Sequence, residues 1–355
     1  MPSRPSAGAA ALPRDASTPP VRPDDAVAPA AAPPAAARLV AAVGRRPQRR
    51  PRIVVRGTGR SETPDYPIQV SKVQAPPLRE DILARDRLLD WLSVKVHSRV
   101  VLLVAEAGYG KTTLLADFSR RTRIRVLWFR LDRGDRDWVG FLAHLVAAVG
   151  VHVPGFGAAT SSLLRQSATT SISLDTVLDT FIRELSTLPN DPAALVFDDV
   201  HLVDDSGDVK QILRELLARA PDRTSFVFAS RREPPVRLAR LRALGEVAEL
   251  GTEDLRFDAA ETEKLFRETY EMALEPAVLA ELGRRTEGWA ASLQLVRSAL
   301  HDRNPTQVRS FISSLSGAEG HLYEYLAEEV IGDLPADLQQ FLMRTSLLDT
   351  VDLTL

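Results

Sequence analysis

Val100-Val101-Leu102-Leu103-Val104-Ala105-Glu106-Ala107-Gly108-Tyr109-Gly110-Lys111-Thr112-Thr113 runs from five consecutive aliphatic residues into a glycine loop, and the loop opens Leu114-Leu115-Ala116-Asp117-Phe118, an amphipathic stretch. Strand, glycine loop and helix in this order are the parts of a P-loop, which binds a nucleoside triphosphate. The reason is local. Gly108 and Gly110 let successive backbone N–H groups turn towards phosphate oxygens, and the helix N-terminus adds its positive end. Lys111 brings a point charge to the outer phosphates. Thr112 offers Mg²⁺ a hydroxyl, and Ala107, Tyr109 and Thr113 complete the nucleotide-binding loop. The full pattern G-x-x-x-x-G-K-[ST] begins with Gly where this chain has Ala105, so a plain glycine turn between strand and helix is the rival reading. Composition weighs against it. Of the 45 basic residues only five are Lys, and one of them stands where a phosphate-binding lysine is required.

The chain has 355 residues, 45% of them hydrophobic, enough for two or three domains with real cores. A formal charge of −2 creates no overall field for nucleic acid. With no cysteine, disulfides, thiolate metal sites and thiol nucleophiles are excluded. The six His are scattered without metal-ligand spacing. No apolar run approaches the roughly 20 residues of a membrane span, and no secretory cleavage pattern is present, so a cytoplasmic protein without membrane contact is expected.

Residues 1–67 hold 13 of the 24 prolines and much alanine, and read as a disordered tail. Its Arg45-Arg46-Pro47-Gln48-Arg49-Arg50-Pro51-Arg52 reads as a solvated basic linker. Beyond it, helical periodicity is expected over Arg79–Trp91, Trp138–Val149, Leu174–Leu185 and Val209–Ala218. Short apolar strands are expected at 100–104, Arg125–Leu131, Ala193–Phe197, Ser225–Ala229 and Val247–Leu250. Uniformly apolar strands alternating with helices predict an α/β fold, a P-loop NTPase with a parallel sheet covered on both faces, over residues 68–257. Ligands then bind at the edge where the strands end. After Asp258 only helices are expected: Ala259–Tyr270, Glu275–Thr286 and Trp289–Leu300 in an all-helical domain over 258–303, then Gln307–Leu315, Tyr323–Val330 and Ala336–Thr345 over 304–355.

Leu195-Val196-Phe197-Asp198-Asp199 ends an apolar strand in two carboxylates, 87 residues after Lys111. This fits a Walker B strand. Asp198 would hold Mg²⁺ directly or through water, and Asp199 would orient the attacking water; an Asp pair capping a loop is the alternative. Phe226-Val227-Phe228-Ala229-Ser230-Arg231 ends the neighbouring strand with a guanidinium. Arg231 suits the γ-phosphate, although Arg232 or a plain surface role stays open. Glu287-Gly288-Trp289-Ala290-Ala291 reads as a hinge between two helices, and core packing alone would explain Trp289.

These sites, in this order, resemble the nucleotide-binding module of STAND ATPases, most of all the MalT-like branch, large ATP-binding regulators that usually end in a LuxR-type DNA-binding domain. The resemblance covers residues 70–355. Besides the sites above it rests on Ser71-Lys72-Val73-Gln74-Ala75-Pro76-Pro77, Ile82-Leu83-Ala84-Arg85, Trp128-Phe129-Arg130-Leu131-Asp132 with Asp135, Asp198-Asp199-Val200-His201 and Asp254-Leu255-Arg256-Phe257. It ends with Tyr325-Leu326-Ala327-Glu328-Glu329-Val330 and Phe341-Leu342-Met343-Arg344-Thr345-Ser346-Leu347-Leu348. It implies an ATP/ADP switch that self-associates when an unknown inducer and ATP open it, with Mg²⁺-dependent hydrolysis as the reset. It also implies Arg85 near the adenosine, and a winged-helix domain beginning in 304–355. Sensor repeats and a helix-turn-helix are not among these residues. The expectation is therefore a fragment, a truncated product or partner domains elsewhere, with DNA bound only through a domain outside this chain. A P-loop kinase and a nucleotide-binding scaffold without turnover are the competing classes.

Overall fold

A computed structural model describes residues 66–167, 170–189, 191–300, 304–314 and 335–345. The basic tail up to residue 65 and the helix expected at Tyr323–Val330 lie outside the described residues, so α12 (Pro305–Ser314) and α13 (Ala336–Thr345) are what is described of 304–355.

The aliphatic runs form β1 (Val100–Val104), β2 (Arg125–Arg130), β3 (Ala193–Asp198), β4 (Thr224–Ser230) and β5 (Val247–Leu250). They pair in the order β2-β3-β4-β1-β5, every pair parallel. In register, Val104 lies beside Ser230, and Asp198 beside Arg130 and Ala229, so the glycine loop and the Asp pair leave the sheet at the same edge. Side chains alternate between the faces, and both faces are buried. Leu102, Phe129, Phe197 and Phe228 pack under α3 (Trp138–Gly150), α4 (Ala158–Ser167), α5 (Leu174–Ser186) and α6 (Gly207–Arg219). Leu103, Trp128, Val196 and Val227 pack under α1 (Asp86–Lys95) and α2 (Lys111–Arg121). Two covered faces explain why the strands carry no polar alternation.

Among the longer elements, three differ from expectation. The first helix begins at Asp86 rather than Arg79, because Arg85 leaves the helical region (φ −93°, ψ 77°) and the preceding residues face the helical segment, where Leu83 packs. Helix α4 has few apolar residues and no readable start signal. Its first N–H groups, on Ala159 and Thr160, donate to the Glu184 carboxylate of α5 at 2.9 and 3.1 Å. A cap supplied by another helix satisfies the orphan donors as well as a local one. The helix expected through Tyr270 is α9 (Ala259–Lys264) followed by a widened π turn, Leu265–Thr269.

Two short helices, α7 (Ala239–Ala243) and α8 (Thr252–Leu255), flank β5. Beyond them, α9 with its π turn, α10 (Pro276–Thr286), α11 (Ala290–Leu300) and α12 share a separate core of Leu265, Phe266, Leu282, Leu293, Val296 and Ile312.

Candidate functional site

The loop after β1 meets the first turn of α2 through Gly110, whose φ of +79° is the left-handed conformation that favours glycine. Gly108 has φ +77°. The turn sends the Lys111 side chain back into the protein, where its amine donates to the carbonyls of Ala105 (2.5 Å) and Glu106 (2.8 Å). Burial lowers the Lys111 pKa to about 8, against the opposing pull of Asp199 and Asp198. The Thr112 hydroxyl lies 3.0 and 2.9 Å from the two oxygens of Asp198. Asp198 is fully buried. Burial first, and the charge of Asp199 second, push its carboxyl up to about 7, while the Thr112 hydroxyl works the other way. A buried carboxylate raised by desolvation and by a second carboxylate beside it is relieved by a cation.

Asp199 turns the chain in the left-handed region (φ 62°, ψ 39°), so its side chain leaves the core. Its carboxylate pairs with Arg130, at the end of β2, at 3.3 Å. Arg231 follows β4 and shares a cavity wall with Asp199, His201 and Arg130. Lys111, Thr112, Asp198, Asp199 and Arg231 thus converge on one sheet edge from the ends of three strands. Arg232, the alternative to Arg231, points away from this cavity to pair with Asp204 at 2.7 Å.

The group implied by this set is a nucleotide with Mg²⁺, and the residues fit it. A lysine resting on backbone carbonyls has acceptors that phosphate oxygens outcompete. Thr112 and Asp198 form a hard oxygen pair already in contact. Among the described residues no group of three or more His, Asp or Glu could cage a metal ion, and Mg²⁺ bound to phosphates needs none.

A second cavity, of about 210 Å³, opens between the P-loop helix and the helical segment. Ile82, Leu83, Tyr109, Thr113, Phe257, Leu265, Tyr270 and Gln294 line it. Arg85 is in its wall, with its donors committed elsewhere: to the carbonyls of Leu255 and Arg256, both at 2.6 Å, and to Glu261 at 2.6 Å. Its guanidinium also stacks 4.2 Å over Phe257. Arg85 therefore clasps the start of the helical segment to the sheet. Sequence reasoning missed Tyr270 and Gln294, which bond to each other at 2.7 Å. Helical periodicity marks them only as ordinary positions.

Trp289 does more than pack. Its indole N–H donates to the Ala107 carbonyl at 3.0 Å, and the Ala291 N–H donates to the Gly108 carbonyl at 3.0 Å. The helical segment thereby holds two carbonyls of the glycine loop. Gly288 lets the turn before Trp289 close against the backbone of Phe257. Its φ is +69°, and a Cβ there would lie 2.2 Å from the Phe257 carbonyl oxygen. Gly288→Ala is expected to destabilise the fold by about 3 kcal/mol, from left-handed strain plus overpacking against backbone. Urea unfolding checks this, and a change under 1 kcal/mol would refute the role of Gly288.

The AAA domain family matches residues 94–233. The HTH-type transcriptional regulator MalT of Cronobacter sakazakii is 31% identical over 283 residues, 79% of this chain and 31% of that protein. MalT of Yersinia enterocolitica is 31% identical over 284 residues, and MalT of Vibrio campbellii 29% over 279. The chain spans about a third of the length of these relatives. Solved structures give looser likenesses. A Walker-type ATPase of Pyrococcus abyssi has a TM-score of 0.47 at 12% identity, covering 77% of this chain and 79% of that one. The Aeropyrum pernix Orc1 protein in complex with DNA has 0.42 at 16%, covering 76% and 73%. Over 79% of its length this chain is thus similar to the MalT regulators, and residues 94–233 within it match the AAA domain family.

Proposed function

We propose that the described residues are the nucleotide switch of a MalT-type transcriptional regulator, which binds ATP or ADP with Mg²⁺, hydrolyses ATP slowly and self-associates in the ATP state. The observation that carries this reading is the convergence of Lys111, the Thr112–Asp198 pair and Asp199 on one sheet edge. In this reading Gly108, Gly110 and the α2 N-terminus cradle the phosphates, and Lys111 neutralises the outer ones. Thr112 and Asp198 hold Mg²⁺, which supplies charge neutralisation at the phosphoryl oxygens. Asp199 orients the attacking water and Arg231 stabilises charge on the γ-phosphoryl group. The cavity of Tyr109, Phe257 and Tyr270 takes the nucleoside, beside Arg85.

The helical segment gives this site a way to report its state. Trp289 and Ala291 hold the glycine loop by its carbonyls, so a rearrangement of that loop is felt directly by α11. Trp289→Phe removes one hydrogen bond worth about 1 kcal/mol and keeps the packing. Calorimetry is expected to show MgADP affinity altered about fivefold, whereas an unchanged value would uncouple Trp289 from the site. Recognition of an inducer and of DNA is assigned to domains outside these residues, by analogy with the MalT relatives.

The reading is tested by titrating MgADP and MgATP calorimetrically, then following ATP turnover and sedimentation over a range of protein concentrations. Binding, slow turnover and ATP-dependent association are expected. Phosphate transfer to small acceptors would make the protein a kinase, and binding without turnover a scaffold.

A further inference from the structure

The sheet has a second edge, where its strands begin, and the nucleotide site at the other edge leaves it idle. Three cavities cross this edge in the order of the strands. The first touches Arg125 of β2, Ala193 of β3 and Thr224 of β4. The second shares Ala193 and Arg223 with the first and reaches His97, just before β1. The third shares His97 and Asp222 with the second and ends at Glu246, just before β5. With walls in common, the three form one groove beneath all five strands. Strands about 4.8 Å apart make it roughly 19 Å long, the reach of about six extended residues. It widens from about 140 through 210 to 890 Å³, so the β5 end has room for side chains as well as backbone.

The groove carries more positive charge than its own acids balance. Arg99 is its structural cation. The guanidinium donates to the carbonyls of Leu217 (2.9 Å), Ala220 (2.9 Å) and Pro221 (2.8 Å), which closes the end of α6, and it stacks 5.0 Å over Phe226. Asp222 and Glu246 are the acids that act on Arg99, so both are matched from within. Lys95, Arg223, Arg237 and Arg240 are left over. All four are exposed, and none has an ion pair among the described residues. On a chain with a formal charge of −2, they make this edge a local attractor for anions.

Two further observations narrow the occupant. Ser225 is 5% exposed and lines the middle cavity, where its hydroxyl has no hydrogen-bond partner. A buried hydroxyl left unpaired costs about 1–3 kcal/mol, and a backbone amide entering the cavity relieves it. At the wide end stand Val94 and Leu244, large aliphatic residues that are 68% and 59% exposed. They suit an aliphatic side chain. No Phe, Tyr or Trp lines any of the three cavities, so a nucleic-acid strand would find cations here but no surface on which to stack its bases.

We propose that this groove binds an extended acidic segment of a partner protein. Its carboxylates meet the four unmatched cations, a backbone group meets the Ser225 hydroxyl, and an aliphatic side chain covers Val94 and Leu244.

The probe is a short fluorescein-labelled peptide of glutamates interrupted by leucines, titrated against the full chain by fluorescence anisotropy. The same peptide with serine for every leucine and a labelled oligothymidylate are titrated beside it. Saturable binding is expected for the leucine peptide, with the serine peptide about tenfold weaker through lost apolar burial. Replacing both Arg237 and Arg240 by alanine is expected to weaken the leucine peptide about tenfold, the size of two partly exposed ion pairs, and raised salt to weaken it further. Ser225→Ala is expected to weaken it about threefold while melting at or above the wild-type temperature, since alanine removes a hydroxyl that the free protein leaves unpaired. That split separates a binding role from a structural one. A leucine peptide that fails to bind, or that binds equally well without the two arginines, overturns the proposal. So does an oligothymidylate that binds more tightly than the peptide, which would make the groove a nucleic-acid track.

Discussion

Lys111→Ala is expected to weaken MgATP and MgADP at least 100-fold. Lys111 is buried, and among the described residues its amine donates to the carbonyls of Ala105 and Glu106. A phosphate in the same place replaces them with a charge-assisted contact, and removing one partner of a desolvated charge pair costs about 2–5 kcal/mol. At 1.4 kcal/mol per tenfold, even ~3 kcal/mol is a 100-fold loss. The fold itself should tolerate the change. Alanine gives up two hydrogen bonds but also removes the desolvation that lowers the Lys111 pKa. Calorimetry of the variant, with urea unfolding beside it, checks both halves. Unchanged affinity in a folded variant would refute the phosphate role of Lys111.

Asp199→Asn is expected to keep MgATP affinity within about threefold and to slow turnover about 100-fold, the usual range for losing a group that positions or accepts a proton. The substitution is clean for structural reasons. Asp199 occupies the left-handed region, which Asn tolerates as well as any residue except Gly. Its ion pair with Arg130 is half-exposed and contributes at most about 1 kcal/mol. Loss of rate without loss of binding therefore isolates the carboxylate charge. Single-turnover hydrolysis measures it, and equal rates for the two proteins would remove Asp199 from the mechanism.

Much of the architecture was legible because its determinants are local. An unbroken aliphatic run long enough for a strand, then Gly-Tyr-Gly-Lys-Thr, then helical spacing, specifies β1, the loop and α2 with little help from elsewhere. The same holds for β3, where the Asp pair follows the apolar run directly. Where determinants come from other segments, the reading faltered. Helix α4 is capped by Glu184 from the next helix. The start of α1 is set by Arg85, whose partners Leu255, Arg256 and Glu261 lie 170 or more residues away in sequence. Trp289 looked like core because an indole N–H bond to Ala107, across a separation of 182 residues, has no signature in its own neighbourhood.

The chain order of strand, glycine loop, helix and acidic strand end is enough to establish a parallel P-loop sheet and to put the glycine loop and the Asp pair at strand ends, since backbone conformation and strand period are encoded within a few positions. Folding in three dimensions settled the rest: which arginine turns towards the Asp pair, how the helical segment takes hold of the glycine loop, and what closes the cavity beside Tyr109. Each of these depends on how segments more than a hundred residues apart, or the ends of separate strands, pack against one another, and packing is a property of the assembled surfaces rather than of any stretch of chain.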